Sequence, residues 1–161
     1  MEKGIFANAE EACKSGEAFK MKGEYDNAIM AYTESIRIDP NYILGYIYRG
    51  HAYAIKQEFS KAILDFSEAI RLNPKGNGAY VFRGRAYFAN GDDDKAILDF
   101  SEAIRLSYIP AYADRGESYR MKGEYDKAII DFTEALKYNQ NDEFAKKQLQ
   151  VTHAQIASAK R

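Results

Sequence analysis

A twelve-residue string written twice constrains this chain more than anything else in it. KAILDFSEAIRL runs from Lys61 to Leu72 and again from Lys95 to Leu106, 34 residues later. Looser copies flank the pair: NAIMAYTESIRI at 27–38 and KAIIDFTEALKY at 127–138. Inside each copy the apolar residues recur at steps of three and four. In the second copy they are Ala62, Ile63, Phe66, Ala69, Ile70 and Leu72, one stripe down one helix face. A helical pattern recurring with a period in the thirties predicts a stack of like units. One two-helix unit cannot bury its own apolar face, so neighbours must cover it.

Counting back from Pro40 and Pro74 divides the chain into repeats at 9–42, 43–76, 77–108 and 109–142. The third is two residues short because RLSYIPAY replaces RLNPKGNGAY. Gly16, Gly50, Gly84 and Gly116 recur at spacings of 34, 34 and 32, which fixes the register. Each unit reads as two helices. The first carries the glycine and, three residues on, an aromatic: Phe19, Tyr53, Tyr87 or Tyr119. Gly23, Gly91 and Gly123 mark the turn by permitting positive φ, with Gln57 in that place in repeat two. The second helix is expected to open near the capping side chains Asp26, Ser60, Asp94 and Asp126, and to end near Asp39, Asn73, Ser107 and Asn139. Residues 143–161 break the period. Phe144, Leu149, Val151 and Ile156 give them a rough apolar stripe with a polar back, so they read as a C-terminal capping helix. Residues 1–8 read as a frayed lead-in.

Composition narrows function by exclusion. The 161 residues carry 23 basic and 24 acidic side chains, mixed in sign, for a net charge of -1. That leaves no lysine–arginine excess for a nucleic-acid face or a polybasic membrane anchor. No apolar run reaches the roughly 18 residues of a membrane span, and the N-terminus lacks a signal core. Cys13 stands alone, so no internal disulfide forms, and a reducing, cytoplasmic location is expected. Catalytic motifs are missing. His51 and His153 match no metal spacing. Asp92, Asp93 and Asp94 lack a calcium loop and read as an inter-helix turn. Cys13 has no activating neighbour in sequence. Gly76-Asn77-Gly78 reads as a linker between units, not a phosphate cradle. Neither enzyme activity nor a cofactor nor a metal is expected.

The pattern resembles the tetratricopeptide repeat, a 34-residue helix–turn–helix unit. Repeat one matches with Gly16, Phe19, Gly23, Tyr25, Ala28, Tyr32 and Pro40, and departs at Ser35. Repeat two matches with Gly50, Tyr53, Phe59, Ala62, Phe66, Ala69 and Pro74. Repeat three keeps Gly84, Tyr87, Gly91, Ala96, Phe100 and Ala103, but has Asp93 and Tyr108 for the tyrosine and proline. Repeat four keeps Gly116, Tyr119, Gly123, Tyr125, Ala128, Phe132 and Ala135, with Gln140 for proline. The resemblance implies an all-α fold: a right-handed α-solenoid of four repeats whose first helices line a concave groove. It also implies a non-catalytic scaffold that binds a peptide or helix of another protein there.

By the family's positions, the groove face takes Cys13, Lys14, Glu17 and Lys20 from repeat one. Repeat two gives Leu44, Ile47, Tyr48, His51 and Ile55. Repeat three gives Val81, Phe82, Arg85 and Phe88, and repeat four Asp114, Glu117 and Arg120. Ile47, Tyr48, Val81, Phe82 and Phe88 are expected as apolar anchors, with Arg85, Glu117 and Arg120 choosing charge and orientation. The competing reading makes these side chains core, in a groove that is narrow or filled by the C-terminal helix. Some members of the family clamp the C-terminal carboxylate of chaperones with lysine, asparagine and arginine. The matching places here hold Cys13, Glu17, Tyr48, Gly78 and Phe82. One repeat later they hold Ile47, His51, Phe82, Pro110 and Asp114. Neither set provides the cationic fork, so a chaperone tail is not the expected partner. The alternative function is self-association as a homodimer through the C-terminal helix or the first repeat.

Two sets of charges recur with the period. Arg49, Arg83 and Arg115 precede the glycines, and Asp65, Asp99 and Asp131 lie on the matching stripe of the second helix. Repeat one loses both together, with Ser15 and Ala31. An arginine–aspartate pair across each helix interface is expected, with Lys61, Lys95 and Lys127 as rival partners of the aspartates. Glu34–Arg37, Glu68–Arg71, Glu102–Arg105 and Glu134–Lys137 are read as surface pairs.

Overall fold

A computed structural model of the chain describes residues 6–159, and the regular structure among them is entirely α-helical. In order the helices are α1 (Ala9–Met21), α2 (Tyr25–Ile38), α3 (Ile43–Ile55), α4 (Phe59–Leu72), α5 (Asn77–Ala89), α6 (Asp93–Arg105), α7 (Ala111–Met121), α8 (Tyr125–Tyr138) and α9 (Glu143–Ala159). Successive helices pack as antiparallel hairpins, and each hairpin's second helix packs on the first helix of the next. The odd-numbered helices also touch one another in sequence, α1 to α3 and onward to α9, whereas the even-numbered ones do not. A layer in contact on one side and splayed on the other must curve. The odd helices therefore form the inner wall of an α-solenoid. Of the lead-in, only residues 6–8 lie within the described residues. There Asn8 caps α1 by accepting from the Glu11 amide at 2.8 Å, while the Glu11 carboxylate accepts from the Ala7 amide.

Each hairpin closes on a glycine facing a ring. A Cβ on Gly84 would lie 2.7 Å from the Phe100 ring, and the same crowding holds Gly16 to Tyr32, Gly50 to Phe66 and Gly116 to Phe132. Ala28, Ala62, Ala96 and Ala128 are fully buried beside those rings. Small residues thus set the helix spacing and large aromatics fill it.

The turns end the first helices in one way. The amides of Glu24, Glu58, Asp92 and Glu124 donate to the carbonyls of Phe19, Tyr53, Tyr87 and Tyr119, closing the last turn through a left-handed residue. Gly23, Gly91 and Gly123 hold that residue at φ of 77, 80 and 77°. Gln57 holds it at 60° with a side chain attached. The expected caps are displaced by two residues. Asp26, Ser60, Asp94 and Asp126 lie in the first helical turn, and the N-cap positions are Glu24, Glu58, Asp92 and Glu124. Of these four only the Asp92 side chain caps, accepting from the Lys95 amide. Asp26 and Asp94 instead bond Lys56 and Lys122 from the following repeats. Helix α6 stops at Arg105, one residue short of the equivalent end of α4, next to the two-residue deletion. Ser107 adopts φ of 67° and the Tyr108 amide donates back to Ala103 at 2.8 Å.

The arginine–aspartate pairs form in repeats two to four. Arg49, Arg83 and Arg115 each fork onto Asp65, Asp99 and Asp131 through Nε and Nη2, at 2.7–2.9 Å. Each Nη1 donates at 3.0 Å to a hydroxyl on the preceding repeat: Thr33, Ser67 or Ser101. One guanidinium thus ties three helices together. The lysines turn away, Lys61 to Glu58, Lys95 to Asp92 and Lys127 to Glu124. The four glutamate–arginine or glutamate–lysine surface pairs also form.

Helix α9 packs on α8 and touches α7, as the first helix of a fifth repeat would. Its buried Ala145 and Thr152 hold the places of Ala111 and Ser118 one repeat earlier. Leu149 packs where a fifth arginine would stand.

Candidate functional site: the inner wall

The inner wall has three zones, set by what stands at equivalent positions along it. At the N-terminal end, Tyr48 lies 5.8 Å from Tyr32, ring to ring, with the Lys20 ammonium 5.2 Å above the Tyr48 ring. Lys20 reaches Glu17 only at 3.8 Å. Tyr32 is fully buried and stands where the other three repeats carry phenylalanine. Among the described residues its hydroxyl is the one buried side-chain polar atom without a hydrogen-bond partner. Burial, then Cys13 and Glu17, push its pKa up, so it stays protonated. Cys13 is buried as well. Its thiol is pushed up to about 11 by burial first and Glu17 second, leaving an inert packing residue.

The middle zone is hollow. A pocket of about 270 Å³ between α3 and α5 is lined by His51, Ala54, Phe59, Phe66, Phe82, Arg85, Ala86 and Ala89. The His51 ring stands edge-on to Phe82 at 4.2 Å and to Phe66 at 5.4 Å. Burial lowers the His51 pKa, and Lys20 and Arg85 lower it further, so the ring is neutral at pH 7. The C-terminal zone is knitted shut by its own charges. Arg85 forks onto Asp114 at 2.9 and 3.2 Å, Arg120 forks onto Glu117, and Arg120 also reaches Gln155 of α9 at 3.3 Å.

The expected groove residues therefore divide. His51, Phe82 and Arg85 meet around one pocket, whereas Tyr48 packs beside Tyr32 in the N-terminal zone. Leu44 is exposed, and Ile47 and Phe88 are half-buried, outside the pocket lining. Val81 is a correction: it is 1% exposed and packs among Ala96, Phe100, Ala103 and Ala111. The fifth place points between stacked hairpins rather than into the groove in repeats one, three and four, where Cys13, Val81 and Ala113 are buried, whereas Ile47 at that place in repeat two is half-buried. Asp114 is held by Arg85, and Glu117 and Arg120 are held by each other, before any partner arrives. The C-terminal helix does not fill the groove, since α9 touches none of α1, α3 or α5. Ala54, Phe59, Phe66, Ala86 and Ala89 are the pocket residues that apolar counting on the groove face passes over. The signal of Ala54 and Ala89 is smallness where the other repeats are large.

Comparison with known proteins agrees with this geometry. Family models described as "TPR repeat" and "Tetratricopeptide repeat" match residues 16–57, 49–107 and 109–142. No curated protein matches the sequence. Among solved structures, one reported as "Crystal structure of MamA" is 26% identical with a TM-score of 0.82, over 88% of this chain and 84% of that one. The second tetratricopeptide domain of Spaghetti (RPAP3), bound to the HSP90 peptide SRMEEVD, is 30% identical with a TM-score of 0.60, over 62% of this chain and 93% of its own. YrrB, described as "a TPR protein with an unusual peptide-binding site", shares the fold at a TM-score of 0.77 and 18% identity, over 93% of this chain and 78% of its own. Matched repeat by repeat and carrying the family's glycine–aromatic packing throughout, the chain belongs to the tetratricopeptide-repeat family.

Proposed function

We propose that the protein is a non-catalytic interaction scaffold that holds a peptide or helix of a partner protein on its inner wall. The observation that carries this reading is the pocket between α3 and α5. It is lined by aromatic side chains, and the protein's own C-terminal helix leaves it free. Peptide binding by the RPAP3 domain, and by YrrB as its description has it, supports the class of partner. Tyr48 and Phe82 supply the anchoring rings, with His51 edge-on to Phe82. Glu117 and Arg120 fix orientation less than their residue types suggest, because they are already paired with each other. A chaperone's C-terminal carboxylate is not the proposed ligand, for want of the clamp.

The test is Tyr48→Ala with Phe82→Ala. Neither ring sits under a helix-crossing glycine, so the double variant should keep its circular dichroism spectrum and lose its partner in a pull-down. Retained partner with the fold intact would refute the reading. Self-association is the second reading, favoured by Phe144 and Val151, which stand 46% and 36% exposed on α9. The molecular mass in solution decides between the two.

A further inference from the structure

The pocket exists because two alanines stand where the other repeats carry long side chains. Ala54 holds the twelfth place of its repeat, occupied elsewhere by Lys20, Phe88 and Arg120. Ala89 holds the thirteenth, occupied elsewhere by Met21, Ile55 and Met121. Both fall at the same junction, between repeats two and three, and both line the hollow. At the other junctions a long side chain occupies at least one of these places. Truncation at two adjoining positions opens a space that truncation at either alone would leave partly filled. The rings of Phe59, Phe66 and Phe82 make its walls apolar, and its volume of about 270 Å³ admits a bulky side chain but not a further helix.

The mouth is charged. Three elements face His51: α1 brings Lys20 with its loosely held Glu17, α5 brings Arg85 with Asp114 beyond it, and α4 brings the uncharged rings of Phe59 and Phe66. Arg85 commits Nε and Nη2 to Asp114 and leaves Nη1 available. One cation, Arg85, thus lines the apolar hole, and a second, Lys20, lies over the Tyr48 ring one turn along α3 from His51.

We propose that the hollow between α3 and α5 is a specificity pocket for one bulky apolar side chain, leucine, methionine or phenylalanine, that a partner polypeptide presents beside a carboxylate side chain read by Lys20 and Arg85. The proposal rests on the inner wall being the partner site and adds which residue types that site selects. The apolar side chain gains by leaving water for contact with the rings of Phe59, Phe66 and Phe82. The neighbouring carboxylate answers the two cations, while a lysine or arginine in its place would meet like charge. The carboxylate belongs to a side chain within the segment, because the clamp for a chain terminus is missing.

The experiment pans a random twelve-residue peptide library, displayed on phage with its C-termini joined to the coat protein, against the full chain. Sequences with one Leu, Met or Phe close to an Asp or Glu should be enriched. The best of them, synthesised with blocked ends, is then titrated against Ala54→Phe and Ala89→Met. Each substitution installs a side chain that another repeat already carries at that place, so the packing should hold, and unchanged melting curves verify it. Each should weaken the peptide by at least about tenfold. Lys20→Gln should weaken it a few-fold and flatten its salt dependence. Unchanged affinity in both filled variants, with binding still lost on Tyr48→Ala/Phe82→Ala, overturns the pocket and leaves the inner-wall reading standing. Enrichment of basic or uncharged sequences overturns the carboxylate. No enrichment on the wild-type chain removes the inner-wall reading and the pocket with it.

Discussion

Arg83 and Lys95 carry the same charge in the same repeat, and their surroundings give them opposite weight. The Arg83 side chain is 21% exposed, and its guanidinium closes a fork on Asp99, itself 7% exposed, while donating to Ser67 of the neighbouring repeat. Lys95 is 58% exposed and bonds Asp92 in its own first turn. Removing Arg83 strands a buried carboxylate and a hydroxyl, whereas removing Lys95 returns one surface pair to water. Arg83→Ala should therefore cost about 3–5 kcal/mol, and Lys95→Ala less than about 1 kcal/mol. Urea midpoints of the two variants measure the difference, and equal midpoints would contradict the buried pairing. This much was legible in sequence, since arginine and aspartate vanish together from repeat one. The third partner was not. Thr33, Ser67 and Ser101 sit one repeat upstream, and nothing in a single repeat's pattern joins them to the next arginine.

Among the turns inside the hairpins, the one between α3 and α4 is at odds with its residue. The other three turns put glycine in the left-handed position, and here Gln57 adopts it at φ of 60°. A Cβ there crowds the following carbonyl, and glycine removes that strain while giving back part of the gain as chain entropy. Gln57→Gly should raise stability by about 0.5–1 kcal/mol, read as a higher urea midpoint. A lower midpoint would mean that the glutamine side chain makes up for its backbone. The helices were readable because their apolar period exceeds any local noise, and the 34-residue recurrence checked each against three others. Cap positions were less so, because Glu24, Glu58 and Glu124 end the turn without using their side chains as caps. Val81 was misplaced because β-branched bulk marks a core position and a groove anchor alike. Only the burial of Cys13 and Ala113 at the same place tells them apart. The pocket is written as absence, two alanines in a row of larger residues, and a search for apolar or charged side chains does not register it.

At the scale of the molecule, stability runs along one dimension, each hairpin leaning on its neighbours, so the two ends carry a different duty from the middle. The N-terminal hairpin lacks the arginine–aspartate fork and instead seals itself locally, with the buried Ser35 hydroxyl donating to the Ala9 carbonyl at 2.7 Å. The other end relies on α9. Its Ala145 and Leu149 lie on the cluster of Ala113, Phe132 and Ala135, with Leu136 at the edge, while Lys146, Gln150 and His153 take the places where an earlier helix would meet its hairpin partner. A chain ended at Asn141 uncovers that cluster. Losing the equivalent of one or two large buried side chains should cost about 2–4 kcal/mol and lower the melting temperature on the order of 10 °C. Light scattering on the same pair of proteins separates cap from interface. If α9 only covers α8, the full chain is a monomer and truncation lowers its stability without dissociating any assembly. If Phe144 and Val151 join two copies, the full chain has twice its formula mass and truncation halves it. The fifth-repeat register of α9 favours the monomer, because Ala145 and Leu149 already pack on the cluster that a further repeat would cover, and only Phe144 and Val151 are left to offer a second copy.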